Sequence, residues 1–414
     1  MSGSPIAAVA PAPAGPAPAW AGGPRGAADR AAHLLFVAAC AAIALPTAWL
    51  SISTGLFVVA VLLSGGYAQR WRRLRDNPLA FRALLLFGAM ALSILWSPAS
   101  WRAAVDAWWH YRALLVLALA LAVVVDPRWL RRGFLAFMIA FAFALVVSYL
   151  RRFGVLHKYD NGGEYAGFCG RAGFSLMLAL VAFMALWLAL QPSRARLAWL
   201  VLGLASLANL YFVNDGRSGQ VTFLLLLPWA AAQRLRLRGL LAGAAVAAVL
   251  LAVAYAGSPV FRSRIDAIGH GLASYEQGHA EPTAEGLRLS FWRHSLQLVG
   301  AHPLFGDGAG SFIVDYRALA DREGLQGEFV THNPHNDYLM IAVQQGIAGL
   351  VLLAWMWVGQ WRMAAPEGRS GLYARALMIT CGVAALFTAI LLDTLESHLY
   401  ALLSVALSKR WPGD

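Results

Sequence analysis

The change from polar to apolar residues in THNPHNDYLMIAVQQGIAGL, residues 331–350, decides how this chain folds. Thr331–Leu339 carries two histidines and two amide side chains, whereas Met340–Leu350 is mostly apolar and leads into a longer apolar run. Such a run predicts a helix that crosses a membrane. Because polar groups are costly inside a bilayer, those at the mouth of a membrane helix usually perform chemistry or bind a ligand.

The composition extends this prediction to the whole chain. Of the 414 residues, 59% are hydrophobic and only 13% are charged, which leaves too little polar surface to cover a soluble protein of this size. A template of roughly 20 mostly apolar residues finds about twelve candidate spans. We therefore predict an all-α, polytopic integral membrane protein. The candidate spans are centred near residues 40, 58, 87, 118, 141, 181, 205, 225, 248, 348, 383 and 402.

The chain divides into four predicted parts. An Ala-, Pro- and Gly-rich beginning predicts a disordered tail, and the longest polar connection predicts a loop with short interfacial helices. In that loop Leu289, Trp292, Leu296 and Val299 recur at helical spacing, and the glycines of 300–310 indicate a turn rather than a nucleotide site. The parts are a cytoplasmic tail (1–30), transmembrane helices 1–9 (31–256), a large periplasmic loop (257–334) and transmembrane helices 10–12 (335–414).

Arginine clusters predict the orientation. They lie in every second connection between apolar runs, which is the positive-inside pattern of a polytopic protein. This distribution also explains the net charge of +12 without a nucleic-acid partner. We expect these connections and both termini to be cytoplasmic. The clusters are Arg70–Arg75, Arg128–Arg132, Arg194–Arg196, Arg234–Arg238, Arg362–Arg369 and Lys409–Arg410.

Several arginines violate this pattern, because they fall in connections that should face the periplasm. One explanation is that each snorkels or pairs with an acid on a large loop. The other is that several converge on an anionic group, since the planar guanidinium binds phosphate oxygens in pairs. The outward arginines are Arg151, Arg152, Arg171, Arg217, Arg262, Arg264, Arg288 and Arg293.

His335 is the main candidate for a catalytic base. Pro334 suits the first turn of a helix that begins near His335, with Thr331 or Asn333 as its cap. The positive end of that helix would keep the imidazole neutral and able to accept a proton. The alternative is a histidine that only caps or packs, and the same alternative holds for His332.

Two further outward junctions carry candidates. Glycines on both sides of Arg217-Ser218 allow a tight turn from which the arginine could reach a cleft. Asp393, with Glu396 and His398 near it, could orient His335 or could belong to a solvated turn. We expect no metal site, because no Asp-x-Asp pair lies near the two histidines, and no disulfide among Cys40, Cys169 and Cys381.

The motif residues resemble the bacterial O-antigen ligase and polymerase superfamily. The signature of that superfamily reads His-Asn, two variable residues and Leu, followed by Gln or Glu before Gly; here it corresponds to His335-Asn336, Leu339 and Gln345-Gly346. The element Arg217-Ser218-Gly219 and the pattern of Arg288, Trp292 and 303–306 are also similar. The resemblance covers mainly residues 200 to 350.

This resemblance implies a glycosyltransferase of the membrane (GT-C-like) type in the inner membrane. Members transfer sugar chains from undecaprenyl pyrophosphate, and in the ligase branch the acceptor is a sugar hydroxyl of lipid A-core, which yields lipopolysaccharide. We expect an inverting, metal-independent transfer without a cofactor, at a periplasmic site among membrane lipids. The expected catalytic residues are His335, Arg217 and Arg288, and the expected substrate-binding residues are Arg151, Arg152, Arg171, His332, Asn336 and Asp393.

Three alternatives remain at this stage. An O-antigen polymerase would use the same donor and extend a second lipid-linked chain. A protein O-oligosaccharyltransferase would transfer to Ser or Thr of a protein. A secondary transporter, from a different class, would show inverted repeats and charged or broken helices near the membrane midplane.

Overall fold

The computed structural model describes residues 24–158, 164–214, 216–259, 261–263, 266, 284–364 and 368–412, and within them the chain forms helices and no β-strand. The all-α prediction is therefore confirmed for these residues. In chain order the helices are α1 (Pro24–Ala42), α2 (Thr47–Leu63), α3 (Tyr67–Asp76), α4 (Pro78–Leu92), α5 (Trp101–His110), α6 (Ala113–Val123), α7 (Pro127–Arg152), α8 (Arg171–Ala189), α9 (Arg196–Phe212), α10 (Arg217–Gly257), α11 (Ala284–Ala301), α12 (Ser311–Glu323), α13 (Asp337–Met363), α14 (Arg369–Ala384) and α15 (Thr394–Ala406).

Several of the helices can cross a membrane. In the described part of the chain five are long and apolar enough by themselves: α4 with the turn that follows it, α7, α8, α10 and α13. Two bent pairs, α2 with α3 and α5 with α6, raise the number to seven if each pair is one span. The chain is thus consistent with a polytopic membrane protein, while the count of twelve spans and the GT-C-like type remain predictions. Helix α1 begins at Pro24, so the end of the predicted tail (1–30) is helical.

Helix α10 doubles back on itself at the predicted cytoplasmic arginine cluster. Arg236 has non-helical angles, φ 50° and ψ −130°. A Cβ added to Gly243 would stand 2.5 Å from the Cα of Pro228, although fifteen residues of straight helix would separate the two by about 22 Å. The two legs therefore pack side by side, and each is about as long as a membrane span. Two predicted spans, near residues 225 and 248, occupy these legs.

Helix α13 is broken at Gly346, which has φ 61° and ψ −159°. The loop after α11 fills the break: the N–H groups of Ile347 and Ala348 donate to the carbonyls of Pro303 and Leu304 at 2.8 and 3.1 Å. The amides of Asp307 and Gly308 donate in return to the carbonyls of Val343 and Gln344. Gly306, Gly308 and Gly310 therefore serve loop geometry, as predicted, whereas Gly300 lies within α11. Gly346 must be glycine, since its φ is positive and a Cβ would meet the Leu304 backbone at 2.4 Å.

Helix α8 is the centre of the bundle. It is apolar along most of its length and buried on nearly all sides, and it packs against α9, α10 and α14. A helix that is hydrophobic all round is expected in the middle of a helical bundle. Because α8 begins at Arg171, its position fixes where that arginine lies relative to every helix packed around it.

Candidate active site

His335 lies in a turn before α13 and not inside the helix. Its N–H donates to Oδ1 of Asn333 at 2.8 Å, and its φ is 52°. Asn336 is the N-cap, because its side chain accepts from the N–H of Leu339. The predicted helix start near His335 was therefore wrong: Asn336 takes the capping position, and α13 begins at Asp337. A non-glycine residue with positive φ is strained, and such residues cluster at functional sites.

The imidazole of His335 is half-buried beneath α11. The indole Nε1 of Trp292 donates to the Pro334 carbonyl at 3.1 Å, and the ring of Phe291 lies 6.3 Å from the His335 ring. Burial lowers the pKa of His335 below its usual value, and the positive charge of Arg288 lowers it further. A neutral imidazole was predicted, but its cause is burial and a neighbouring arginine rather than a position within a helix.

Arg288 interacts through its charge both with His335 and with Arg171 in the first turn of α8. It lies on α11 and is half-buried, and burial together with the charge of Arg171 lowers its guanidinium pKa. The helix predicted from Leu289 to Val299 is confirmed, although Leu296 is 60% exposed and Phe291 occupies the buried side instead. Two cationic side chains from distant parts of the sequence, Arg171 and Arg288, are thus close enough to repel each other beside a neutral histidine.

Arg217 begins α10 directly against the start of α8. A Cβ on Gly216 would stand 2.6 Å from the Arg171 carbonyl, and a Cβ on Gly219 would stand 2.1 Å from the Ser175 carbonyl. The Gly219 N–H donates to Oγ of Ser175 at 3.3 Å. Glycine is needed here because the two helix backbones approach closely, which the sequence alone had attributed to turn geometry. The approach places Arg217 next to the N-terminus that carries Arg171.

Three carboxylates lie at the start of α13 and α15. Asp337 is fully buried, and its Oδ2 accepts from the N–H of Leu391 in the turn before α15 at 3.0 Å. Glu396, in the first turn of α15, contacts α8, since a Cβ on Gly173 would lie 2.4 Å from its Oε1. Asp393 precedes α15 and is exposed. The sequence indicated acids at this helix end, but only the fold showed that Glu396 is the one that packs against the first turn of α8 at Gly173.

These contacts bring the N-termini of four helices together at one end of the bundle. α10 meets α8 at Gly216, α15 meets α8 at Gly173, and α13 meets the turn before α15 through Asp337. The first turns of α13 and α15 contain an acid, whereas those of α8 and α10 contain none and begin with arginine. Helix N-termini attract anions, so the ends of α8 and α10 form the most favourable anion site of this group.

The other predicted site residues are divided between this group and the surrounding structure. Arg151 donates through Nη1 to the carbonyls of Ala166 and Gly167, which holds the segment before α8. Arg152 is exposed and lies 5.5 Å from the ring of Tyr165. Asn336 uses both ends of its side-chain amide: Oδ1 accepts from the N–H of Leu339, and Nδ2 donates to the Leu386 carbonyl. Their contact with substrate remains a prediction, as it does for the exposed His332 and for Asp393.

Within the described ranges, no three His, Cys, Asp or Glu side chains are grouped so that they could hold a metal ion. Metal-independent transfer remains a prediction.

Comparison with known proteins supports one family. Residues 193–354 match the family model described as O-Antigen ligase. That range extends from just before α9 into α13 and contains Arg217, Arg288 and His335. No curated protein matches the chain. Together with the motifs and the membrane fold, the match supports membership of the chain in the O-antigen ligase superfamily.

Proposed function

We propose that this protein is an O-antigen ligase. It would transfer O-antigen polysaccharide from undecaprenyl pyrophosphate to a sugar hydroxyl of lipid A-core, on the periplasmic face of the inner membrane. The observation that supports this proposal best is the group formed by Arg171, Arg217 and Arg288 beside a neutral His335, where the N-termini of α8 and α10 meet. Cations and helix N-termini suit a pyrophosphate, and the imidazole suits a hydroxyl proton.

The arginines act on the donor. A guanidinium can donate two parallel hydrogen bonds to phosphate oxygens, so Arg217 and Arg288 would hold the pyrophosphate and Arg171 would add positive charge. Negative charge grows on the pyrophosphate as its bond to the sugar breaks. In this proposal the three charges would be in place before the reaction, which is the condition under which electrostatic stabilisation of a transition state is most effective.

His335 acts on the acceptor. Its neutral imidazole takes the proton of the acceptor hydroxyl while the hydroxyl oxygen forms a bond to the anomeric carbon of the donor. The bond between that carbon and the pyrophosphate oxygen breaks, and undecaprenyl pyrophosphate leaves with the bonding electron pair. A single displacement of this kind inverts the anomeric configuration. The protonated His335 then returns its proton to solvent.

Two other transferases and a transporter are the alternative functions, and the family match supports a ligase and a polymerase alike. A polymerase or a protein O-oligosaccharyltransferase would use the same donor site and differ only in the acceptor. A transporter could use a broken helix to bind a solute, and α13 is broken at Gly346. In this chain, however, backbone groups of 303–308 pair with the groups that the break leaves open, so they are not presented to a solute.

Deletion of the protein in a producing cell tests the proposed function. A ligase is expected to be required for every O-antigen band on a lipopolysaccharide gel, with lipid-linked polymer accumulating behind the block. A core that carries a single repeat in the deletion strain would instead identify a polymerase. An unchanged ladder would contradict both functions.

Substitution of single arginines tests the proposed donor site. Arg217→Ala and Arg288→Ala should each reduce transfer by about 10²-fold or more, because a charge that stabilises the leaving group is lost. Lysine at either position should restore little, since it lacks the planar fork. Arg293→Ala is the matched control, as Arg293 is an exposed arginine on the same helix as Arg288. Full activity of both Arg217→Ala and Arg288→Ala would rule out the clamp.

A further inference from the structure

A cavity whose lining includes two arginines lies at the opposite end of the bundle from the candidate active site. Its volume is about 260 Å³, and its lining includes Arg131 on α7, Leu188 on α8 and Arg369 at the start of α14. Arg131 and Arg151 are separated by twenty residues of α7, which corresponds to about 30 Å. The cavity therefore belongs to neither the arginine group around Arg171 nor the chemistry proposed there.

The lining of this cavity is suited to an anion. It contains the guanidinium groups of Arg131 and Arg369, the amide of Gln191 and the hydroxyl of Ser193, and among the residues that the structure describes none of those lining it is acidic. The N-termini of α9 and α14 also reach it, because Ala195 and Arg369 are among the lining residues. The N-cap residues of these helices, Ala195 and Gly368, form no side-chain cap, and helix N-termini attract anions.

The size and surroundings of the cavity favour the head group of a lipid. Its volume lies below the range of about 300 to 1,000 Å³ that is typical of sites for drug-sized ligands, which fits a small head group better than a sugar chain. Two indoles, Trp199 and Trp411, line it, as is common where a membrane protein meets the interface. On α9, Leu197 and Val201 are 71% and 58% exposed, so acyl chains have an apolar surface directly beside the opening.

We propose that this cavity binds the phosphodiester of an anionic phospholipid, with Arg131 and Arg369 as its ligands. By the arginine pattern this end of the bundle faces the cytoplasm, where a basic pocket between transmembrane helices would meet anionic lipids of that leaflet. The bound lipid would connect α7, the turn between α8 and α9, the start of α14 and Trp411. Trp411 packs against Phe134, with ring centres 4.7 Å apart and the rings tilted by 39°. This proposal does not depend on the transferase activity.

The test is a binding measurement on the purified full-length protein in detergent. Dioleoylphosphatidylglycerol is titrated against the wild type and Arg131→Gln/Arg369→Gln, with binding followed by native mass spectrometry. The expected result is a Kd at least about tenfold higher for the double variant, since each charged hydrogen bond contributes on that scale. Arg128→Gln is the matched control, because Arg128 is an exposed arginine one turn away on α7 that does not line the cavity; it should bind like the wild type.

Two further arms separate the sources of the phosphate. Dioleoylphosphatidylcholine should bind weakly to all variants, because its head group has no net charge. Inorganic phosphate should compete with the anionic lipid only at much higher concentration. Equal binding of the anionic lipid to wild type and double variant, with both equally stable to heat in phosphatidylcholine, would overturn the proposal. Binding of inorganic phosphate in place of the lipid would overturn the lipid as the ligand.

Discussion

Gly219→Ala tests the close approach of α8 and α10, on which the position of Arg217 depends. An added Cβ would stand 2.1 Å from the Ser175 carbonyl oxygen and 2.4 Å from its carbon. Both neighbours are backbone atoms, so no side chain can turn away, and the helices must separate by roughly 1 Å. Forcing a methyl group into a packed site costs about 1–3 kcal/mol. This exceeds the roughly 0.5–1 kcal/mol that alanine contributes over glycine inside a helix.

The consequence for activity is larger than that for stability. A shift of about 1 Å in a group that positions substrate can reduce the rate about 10²-fold. We therefore expect Gly219→Ala to reach the membrane, to unfold at a temperature a few degrees lower, and to lose transfer of O-antigen by about 10²-fold.

Gly300→Ala provides the control. Gly300 lies on α11, and a Cβ there meets nothing within 4 Å. The Gly300→Ala variant should retain full activity and gain about 0.5–1 kcal/mol of stability. Transfer and thermal unfolding are measured on purified protein with lipid-linked polysaccharide and lipid A-core. If Gly219→Ala matches the wild type in both measurements, α8 and α10 do not approach as described and the position of Arg217 is wrong.

Four further predictions concern orientation and mechanism. Periplasm-active reporter fusions after residues 215 and 300 should be active and those after 196 and 236 inactive; the reverse pattern would discard the periplasmic site. His335→Ala should lower turnover by roughly 10²-fold or more while donor binding persists, as expected of a general base, and loss of donor binding would indicate another role. Because burial and Arg288 lower the pKa of His335 below its usual value of 6.5, the acid limb of the rate profile should lie below pH 6.5, and a limb above it would contradict His335 as the base. Transfer should continue in the presence of a chelator, and restoration by magnesium after its loss would refute the metal-independent mechanism.

The sequence by itself determined the class of the protein and the residue types of the site. Hydrophobic runs, arginine clusters and the short motifs around Arg217, Arg288 and His335 are local patterns, and a local pattern can be recognised before the fold is known. The arginines that violate the positive-inside pattern were informative for the same reason. Of these, Arg171 and Arg288 lie close enough for their charges to interact, and Arg217 begins α10 against the start of α8, while binding of an anion there remains a prediction.

The tertiary structure decided what each residue does, because that depends on contacts between distant segments. Arg151 holds the loop before α8, and Asn336 caps α13. The spacing of these residues in the sequence could not distinguish such structural roles from binding of substrate. The reversal of α10 and the break in α13 are stabilised by backbone contacts across the fold, which no local periodicity encodes. His335 lies outside the helix and is neutral because α11 buries it beside Arg288, some fifty residues away in sequence; only folding could bring those two side chains together.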